Sequence, residues 1–237
     1  LLAGLREGAL EVLGRLPGST NQALVVLVHH PDLEAPFHAV YKARVAERPL
    51  FDFPAGTLTR REVAAFLVSE ALGWEIVPAT VHRDGPFGEG MVQQWIEADE
   101  SIDRVALVVE DDARLRRMAV FDAAVNNTDR KVGHILPVAD GHAYGVDHGV
   151  TFSIDPKLRT VLWGWMGTPL IEDEVAGLER LRSALADRAP GSLASRLGEL
   201  LASDEITATR RRVASLLRFR RFPRPNPDWP AVPWPAY

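Results

Sequence analysis

The feature that most constrains this chain is a pair of aspartates, each delivered into a polar loop by a short apolar run. Phe121-Asp122-Ala123-Ala124-Val125 opens into Asn126-Asn127-Thr128-Asp129-Arg130, and Tyr144-Gly145-Val146 ends in Asp147-His148-Gly149. Asp129 and Asp147 are 18 residues apart, with the strand pattern His134-Ile135-Leu136-Pro137-Val138 between them. That spacing suits phosphoryl transfer. One carboxylate orients an attacking hydroxyl, and a second, on the next hairpin, holds a metal that neutralises phosphate charge.

The chain changes character around this hairpin. Before it, Ala9–Leu16, Asn21–His30 and Phe37–Lys42 are apolar, β-branched runs that read as strands, the first two separated by the turn signal Pro17-Gly18-Ser19-Thr20. Residues 44–58 form a Pro/Gly/Phe-rich loop, and Thr59–Leu72 keeps the helical period until Gly73 stops it. Strands are expected at Ile76–His82 and Met91–Ile96, joined through Gly85-Pro86-Phe87-Gly88. Residues 97–112 are acidic and read as an irregular linker. Ala113–Val125 is helical, with Leu115, Met118, Ala119 and Asp122 on one side. After the hairpin come three helices, Glu172–Asp187, Ser192–Leu201 and Asp204–Phe219. Phe222–Tyr237 holds six prolines and reads as an extended arm pinned by Trp229 and Trp234. The expected architecture is therefore α+β and two-lobed: a β-rich N-lobe over 1–97 and a helical C-lobe over 98–237.

Composition removes several classes of function. There is no cysteine, which excludes disulfides, thiolate metal sites and cysteine nucleophiles. A net charge of −5 lacks the basic footprint of a nucleic-acid binder. No apolar run reaches the ~18 residues of a membrane span. Leu1–Arg6 lacks the basic-then-apolar order of a secretory leader, so a cytoplasmic location is the expectation.

Upstream residues can then be assigned against the two aspartates. Ser19 and Thr20 sit in a turn whose amides and hydroxyls suit an anion, although most such turns only join a hairpin. Lys42 ends a strand from which an ammonium can reach nucleotide phosphates. Glu62 is its natural partner, yet Thr59-Arg60-Arg61-Glu62 also reads as a capping box, and one carboxylate cannot serve both roles at once. Gln93, Gln94 and Trp95 precede the linker, where backbone groups can meet the edge of an adenine. Asp147 followed by Gly149 lets a carboxylate reach a metal while the glycine turns the chain away. His134 stands five residues after Asp129. An imidazole there suits Mn²⁺ or Zn²⁺ better than Mg²⁺, and a His134/His148/Asp147 metal centre is a rival arrangement. The run Arg210-Arg211-Arg212 with Arg218, Arg220, Arg221 and Arg224 faces either solvent, the commoner case, or anionic lipid or an acidic partner.

Asn127-Thr128-Asp129-Arg130 with Val146-Asp147-His148-Gly149-Val150-Thr151-Phe152 resembles the phosphatidylinositol 3- and 4-kinase superfamily, above all the type II 4-kinases. HipA-type kinases, which phosphorylate protein, share the Asn-Thr-Asp and the layout. Val40-Tyr41-Lys42 followed by Glu47-Arg48-Pro49 is similar to the lysine segment of the type II enzymes, and Leu162-Trp163-Gly164-Trp165 falls in the activation-loop region. Taken whole, with Glu47–Pro54 and Asp228–Pro235, the chain resembles a short actinobacterial phosphatidylinositol-kinase-like family. The resemblance implies a kinase fold that binds ATP with Mg²⁺ or Mn²⁺. It assigns catalysis to Asp129 and Lys42 and metal binding to Asp147; His134, standing where the superfamily has Asn, departs from the pattern and is the candidate second metal ligand on its own chemistry. The acceptor is then a protein Ser/Thr, including the chain's own, or an inositol lipid. The alternative is a nucleotide-binding pseudokinase that signals by conformation.

Overall fold

The computed structural model describes residues 1–17 and 22–237, so the expected Ser19/Thr20 phosphate loop lies outside the described residues. The protein is α+β. Five strands form one antiparallel sheet in the order β1-β2-β3-β5-β4: β1 Ala9–Arg15, β2 Leu24–His29, β3 Phe37–Ala43, β4 Thr80–Gly85 and β5 Gly88–Gln94. Alternation along β3 decides the placement of the lysine. Ala39, Tyr41 and Ala43 are buried against Val26, Val28, Val81 and Val92, which turns Lys42 to the opposite face. A short helix the sequence reading did not anticipate, α1 Leu2–Glu7, closes this small core with Leu5.

The strand expected from Ile76 begins only at Thr80. Pro78 cannot donate to a ladder, so Ile76 and Val77 leave the sheet and pack into the helical core instead. The preceding helix, α2 Leu58–Leu72, ends as expected at Gly73, whose φ of 69° lets its N–H reach Ser69 O and Glu70 O. Its start corrects the capping-box reading. Glu47, from the loop before the helix, accepts from the Leu58 and Thr59 amides and from Thr59 Oγ1, leaving Glu62 without a capping task.

The helical part comprises α3 Arg104–Val109, α4 Arg116–Val125, α5 Glu172–Ala186, α6 Leu193–Leu200 and α7 Ser203–Phe219, with the hairpin β6 Ile135–Pro137 and β7 Ala143–Gly145 between α4 and α5. Helix α3 occupies the stretch expected to be irregular. Asp103 caps its Val105 and Ala106 amides, and Leu107 anchors it in the core. One apolar cluster runs from Ala64–Leu72 of α2 and Trp74 through Met118 and Phe121 of α4 to Leu178, Leu197 and Val213, crossing the expected lobe boundary. Helix α2 is thus tied to the helices as well as to the sheet.

Two surface expectations are revised. The arginine run is only partly solvated: Arg210 donates to Leu185 O, and Arg212 donates to Ala124 O and Ser153 O. Burial holds the Arg212 guanidinium down at about 10, with Glu205 opposing. The C-terminal arm is pinned by Phe222, by Ala231 O accepting from Thr160 N and Trp163 Nε1, and by Ala236 O accepting from Val132 N. Trp229 lies over Lys157, but Trp234 is 94% exposed and pins nothing.

The borrowed cap gives a direct test. Glu47→Ala leaves two helix amides and a hydroxyl unpaired and should cost about 1 kcal/mol of stability, read as a lower urea midpoint with unchanged slope. An unchanged midpoint would show that the cap contributes nothing.

Candidate active site

Lys42 stands between two carboxylates on the cleft-facing side of β3. Its Nζ is 2.6 Å from Glu62 Oε1 and 2.8 Å from Asp147 Oδ1. The second oxygen of Glu62 accepts from the His148 amide at 2.8 Å, so one helix residue ties the lysine strand to the loop carrying Asp147. Burial alone would lower the Lys42 pKa, but Asp147 and Glu62 outweigh it and hold the ammonium above the ordinary lysine value. The same ammonium holds Asp147 well below the usual carboxylate range, against the opposing effect of burial. Glu62 is pushed up by its burial, with Lys42 opposing.

Asp147 follows β7 and adopts φ 61°, a left-handed conformation that Asp tolerates better than most residues. Gly149 and Val150 form the turn the sequence suggested, closed by Thr151 Oγ1 donating to His148 O, and the left-handed backbone falls on either side of it, at Asp147 and at Phe152, φ 63°. Asp129 follows α4, whose end is set by Asn126 at φ 54° with its side-chain amide donating to Ser153 O and Asp155 O. The Asn127 side chain accepts from the Asp129 amide, and Lys131 Nζ lies 3.2 Å from Asp129 Oδ2. Burial raises the Asp129 carboxyl above its ordinary value, with Lys131 and His134 opposing.

Lys42, Glu62, Asp129 and Asp147 line one open cavity of about 420 Å³, together with Arg48, Leu50, Lys131, Arg159 and Trp234. Gln93, Gln94 and Trp95 do not line it. The Gln94 amide donates to Ala79 O and the Trp95 amide to His38 O, while the Gln93 side chain donates to Thr80 Oγ1 and Trp95 Nε1 to Glu97. These donors are spent within the fold, so an adenine edge would meet the carbonyls here or the residues beyond Trp95.

His134 Nε2 faces Asp147 Oδ2 at 3.5 Å. Burial lowers the pKa of this imidazole, Asp147 opposing, and its buried Nδ1 meets no partner among the described residues. A carboxylate oxygen and a neutral imidazole nitrogen converging in this way fit a divalent cation whose other positions come from phosphate and water. Among the described residues no group of three or more ionisable side chains forms a metal cage. The rival centre is not assembled, because His148 turns inward. It is fully buried, its Nε2 2.6 Å from Arg130 Nη2 and its ring edge-on to Phe121. Burial and the neighbouring guanidinium lower its pKa far enough to keep it neutral. Arginine can only donate, so Nε2 accepts and the proton sits on Nδ1.

That contact belongs to a network the sequence reading passed over. Arg130, fully buried, pairs bidentately with Asp122 at 2.9 and 2.8 Å, and its Nη1 donates to His134 O and Val146 O. Asn127 Nδ2 also donates to Asp122. The available signal was Asp122 on the apolar side of its helix, a carboxylate that must find a cation.

No family model matches the chain. It is 43% identical over 270 aligned residues to Protein Rv2133c of Mycobacterium tuberculosis, covering 99% of this chain and 95% of that protein. The chain belongs to the family of that protein. Among solved structures, the Helicobacter pylori proinflammatory kinase CtkA superposes with a TM-score of 0.55 over 92% of this chain and 94% of that one, at 11% identity. The fold of this Rv2133c relative is accordingly kinase-like.

Removing one member of the buried pair should be severe. Arg130→Met strands Asp122 in the core and should cost roughly 3–5 kcal/mol, and Asp122→Asn, which keeps the shape but sets an amide N–H against an Arg130 donor and leaves the guanidinium charged, should cost a similar amount. Chemical denaturation measures both; a loss under about 1 kcal/mol for Arg130→Met would show that the network is dispensable.

Proposed function

We propose that this protein is a kinase of the phosphatidylinositol 3-/4-kinase-like type that transfers the γ-phosphoryl group of ATP to a hydroxyl. The observation that carries the reading is Lys42 held between Glu62 and Asp147 in a cleft that also contains Asp129. Glu62 fixes the ammonium so that it is positioned for phosphate before nucleotide arrives. Asp147 and His134 would hold Mg²⁺ or Mn²⁺, whose positive charge would offset that of the phosphates. Asp129 orients the acceptor hydroxyl. The hydroxyl oxygen forms a bond to the γ-phosphorus, the bond to the β,γ-bridging oxygen breaks, ADP leaves with that oxygen, and the hydroxyl proton passes to Asp129. Lys131 beside Asp129 stabilises its ionised form before transfer. The acceptor is a protein Ser/Thr, the chain's own included, or an inositol lipid. The acidic composition favours the first, and no helix among the described residues is long and apolar enough to cross a membrane. A pseudokinase is the second reading, supported by His134 in the place of the second metal ligand and by the Gln94 and Trp95 amides already engaged within the fold.

Asp147→Ala should abolish the thermal stabilisation that ATP with Mg²⁺ or Mn²⁺ confers on the wild type. Equal shifts in both proteins would remove Asp147 from the site.

Asp129→Asn keeps the shape but removes the proton acceptor. ATP should still stabilise the variant while transfer of radiolabelled phosphate falls ~10²-fold or more. Because burial raises the Asp129 pKa, the wild-type rate should decline with falling pH above the ordinary aspartate value near ~4, since the base works only when ionised. Near-normal transfer by the variant would reduce Asp129 to a turn residue.

A further inference from the structure

Arg159 has no part in the chemistry above, yet its backbone brackets the catalytic loop. Its amide donates to Asn127 O at 2.9 Å, and its carbonyl accepts from Arg130 N at 3.1 Å, so it is fastened on both sides of Asp129. Its side chain lines the cleft, and its buried Nε meets no acceptor among the described residues. A guanidinium in the cleft, carried by backbone fastened on both sides of Asp129 and with an unmet donor, is suited to bind an anion. Lys131 and Arg48 line the same cavity, and its four carboxylates are already engaged: Glu47 on the α2 amides, Glu62 and Asp147 on Lys42, and Asp129 beside Lys131. The wall is completed by Leu50 and by Trp234, whose indole is 94% exposed on an arm held to the activation segment through Ala231.

We propose that Arg159, Lys131 and Trp234 form an acceptor subsite for an acidic protein segment, in which carboxylates flank the Ser or Thr presented to Asp129. The proposal rests on the kinase reading and adds the acceptor's chemistry to it. Charge complementarity selects the acidic flanks, and an indole left in solvent supplies apolar area for the segment's other side chains. The cations line a concave cleft, which an extended chain can enter and a bilayer face cannot.

The test uses fluorescein-labelled peptides with a central Ser flanked by Glu, by Gln or by Lys, with phosphatidylserine vesicles as a separate arm. Anisotropy should show the Glu peptide bound ~10-fold or more tightly than the Gln peptide, with the difference shrinking as salt rises. Arg159→Gln should bring the two peptides to similar affinity, and Trp234→Ala should weaken both. Arg182→Ala, an exposed arginine on α5, should leave binding unchanged. Three results would overturn the subsite: equal binding of the Glu and Gln peptides by wild type, an undiminished Glu preference in Arg159→Gln, or binding to vesicles alone. ATP-induced thermal shifts on the same proteins separate the two readings. A shift lost only in Arg159→Gln, with peptide preference intact, would assign the guanidinium to nucleotide phosphate and also overturn the subsite. An absent shift in wild type would count against the kinase reading, while the peptide comparison still decides this one.

Discussion

The arrangement of the cleft depends on the buried ion pair between Arg130 and Asp122. Both side chains are fully buried, which is costly unless every polar atom is answered. Here the guanidinium spends its donors on Asp122, His134 O, Val146 O and His148 Nε2. Those acceptors lie on α4, on the turn before β6 and on the loop after β7. Asp129 adjoins Arg130, and Asp147 lies between Val146 and His148. A single side chain thus sets the spacing of the two carboxylates on which the proposed chemistry rests. A hydrophobic pair could fill the space, but it would not specify which loop backbones meet.

A second constraint concerns the division of labour among glutamates. Glu62 can hold Lys42 only because Glu47 caps α2. Glu47 sits in the Glu47–Pro54 segment, whose other members fasten the same loop. Asp52 pairs with the buried Lys157, and Phe53 lies between the cations of Arg61 and Lys157. Arg61, in the first turn of α2 beside Glu62, reaches Glu205 and Thr151 O. The loop before the helix, the helix and the segment after Asp147 are therefore one connected structure. A change in any of them would be felt at Lys42.

The segment from Pro156 to Trp163 is held by the C-terminal arm. Trp163, Thr160 and Pro156 all bond to the C-terminal arm, while the Arg130 amide donates to Arg159 O and Arg130 O accepts from the Val161 amide. Here the proline-rich arm supplies the contacts in cis, and brings Trp234 to the rim of the cleft.

Much of this was legible in the sequence wherever chemistry is local. Strand alternation put Lys42 on one face of β3, Gly73 ended α2, and the Asn126–Asp129 and Asp147–Gly149 runs marked the polar loops by residue type alone. What the sequence could not decide was which of several adequate partners each group takes. Glu62 as cap or as lysine partner, His148 as ligand or as core residue, and Arg212 as surface or structural charge are each compatible with local pattern. The answer in each case came from a residue distant in the chain: Glu47, Arg130, and Ala124 with Ser153. Trp234 and Pro78 show the same limit for apolar and backbone groups, since burial and ladder pairing are properties of what lies opposite. Residue identity therefore determined which groups can carry charge, turn the chain or accept a proton. The tertiary structure alone decided which of them meet, because a buried polar atom is satisfied only by whatever the folded chain places within about 3 Å of it.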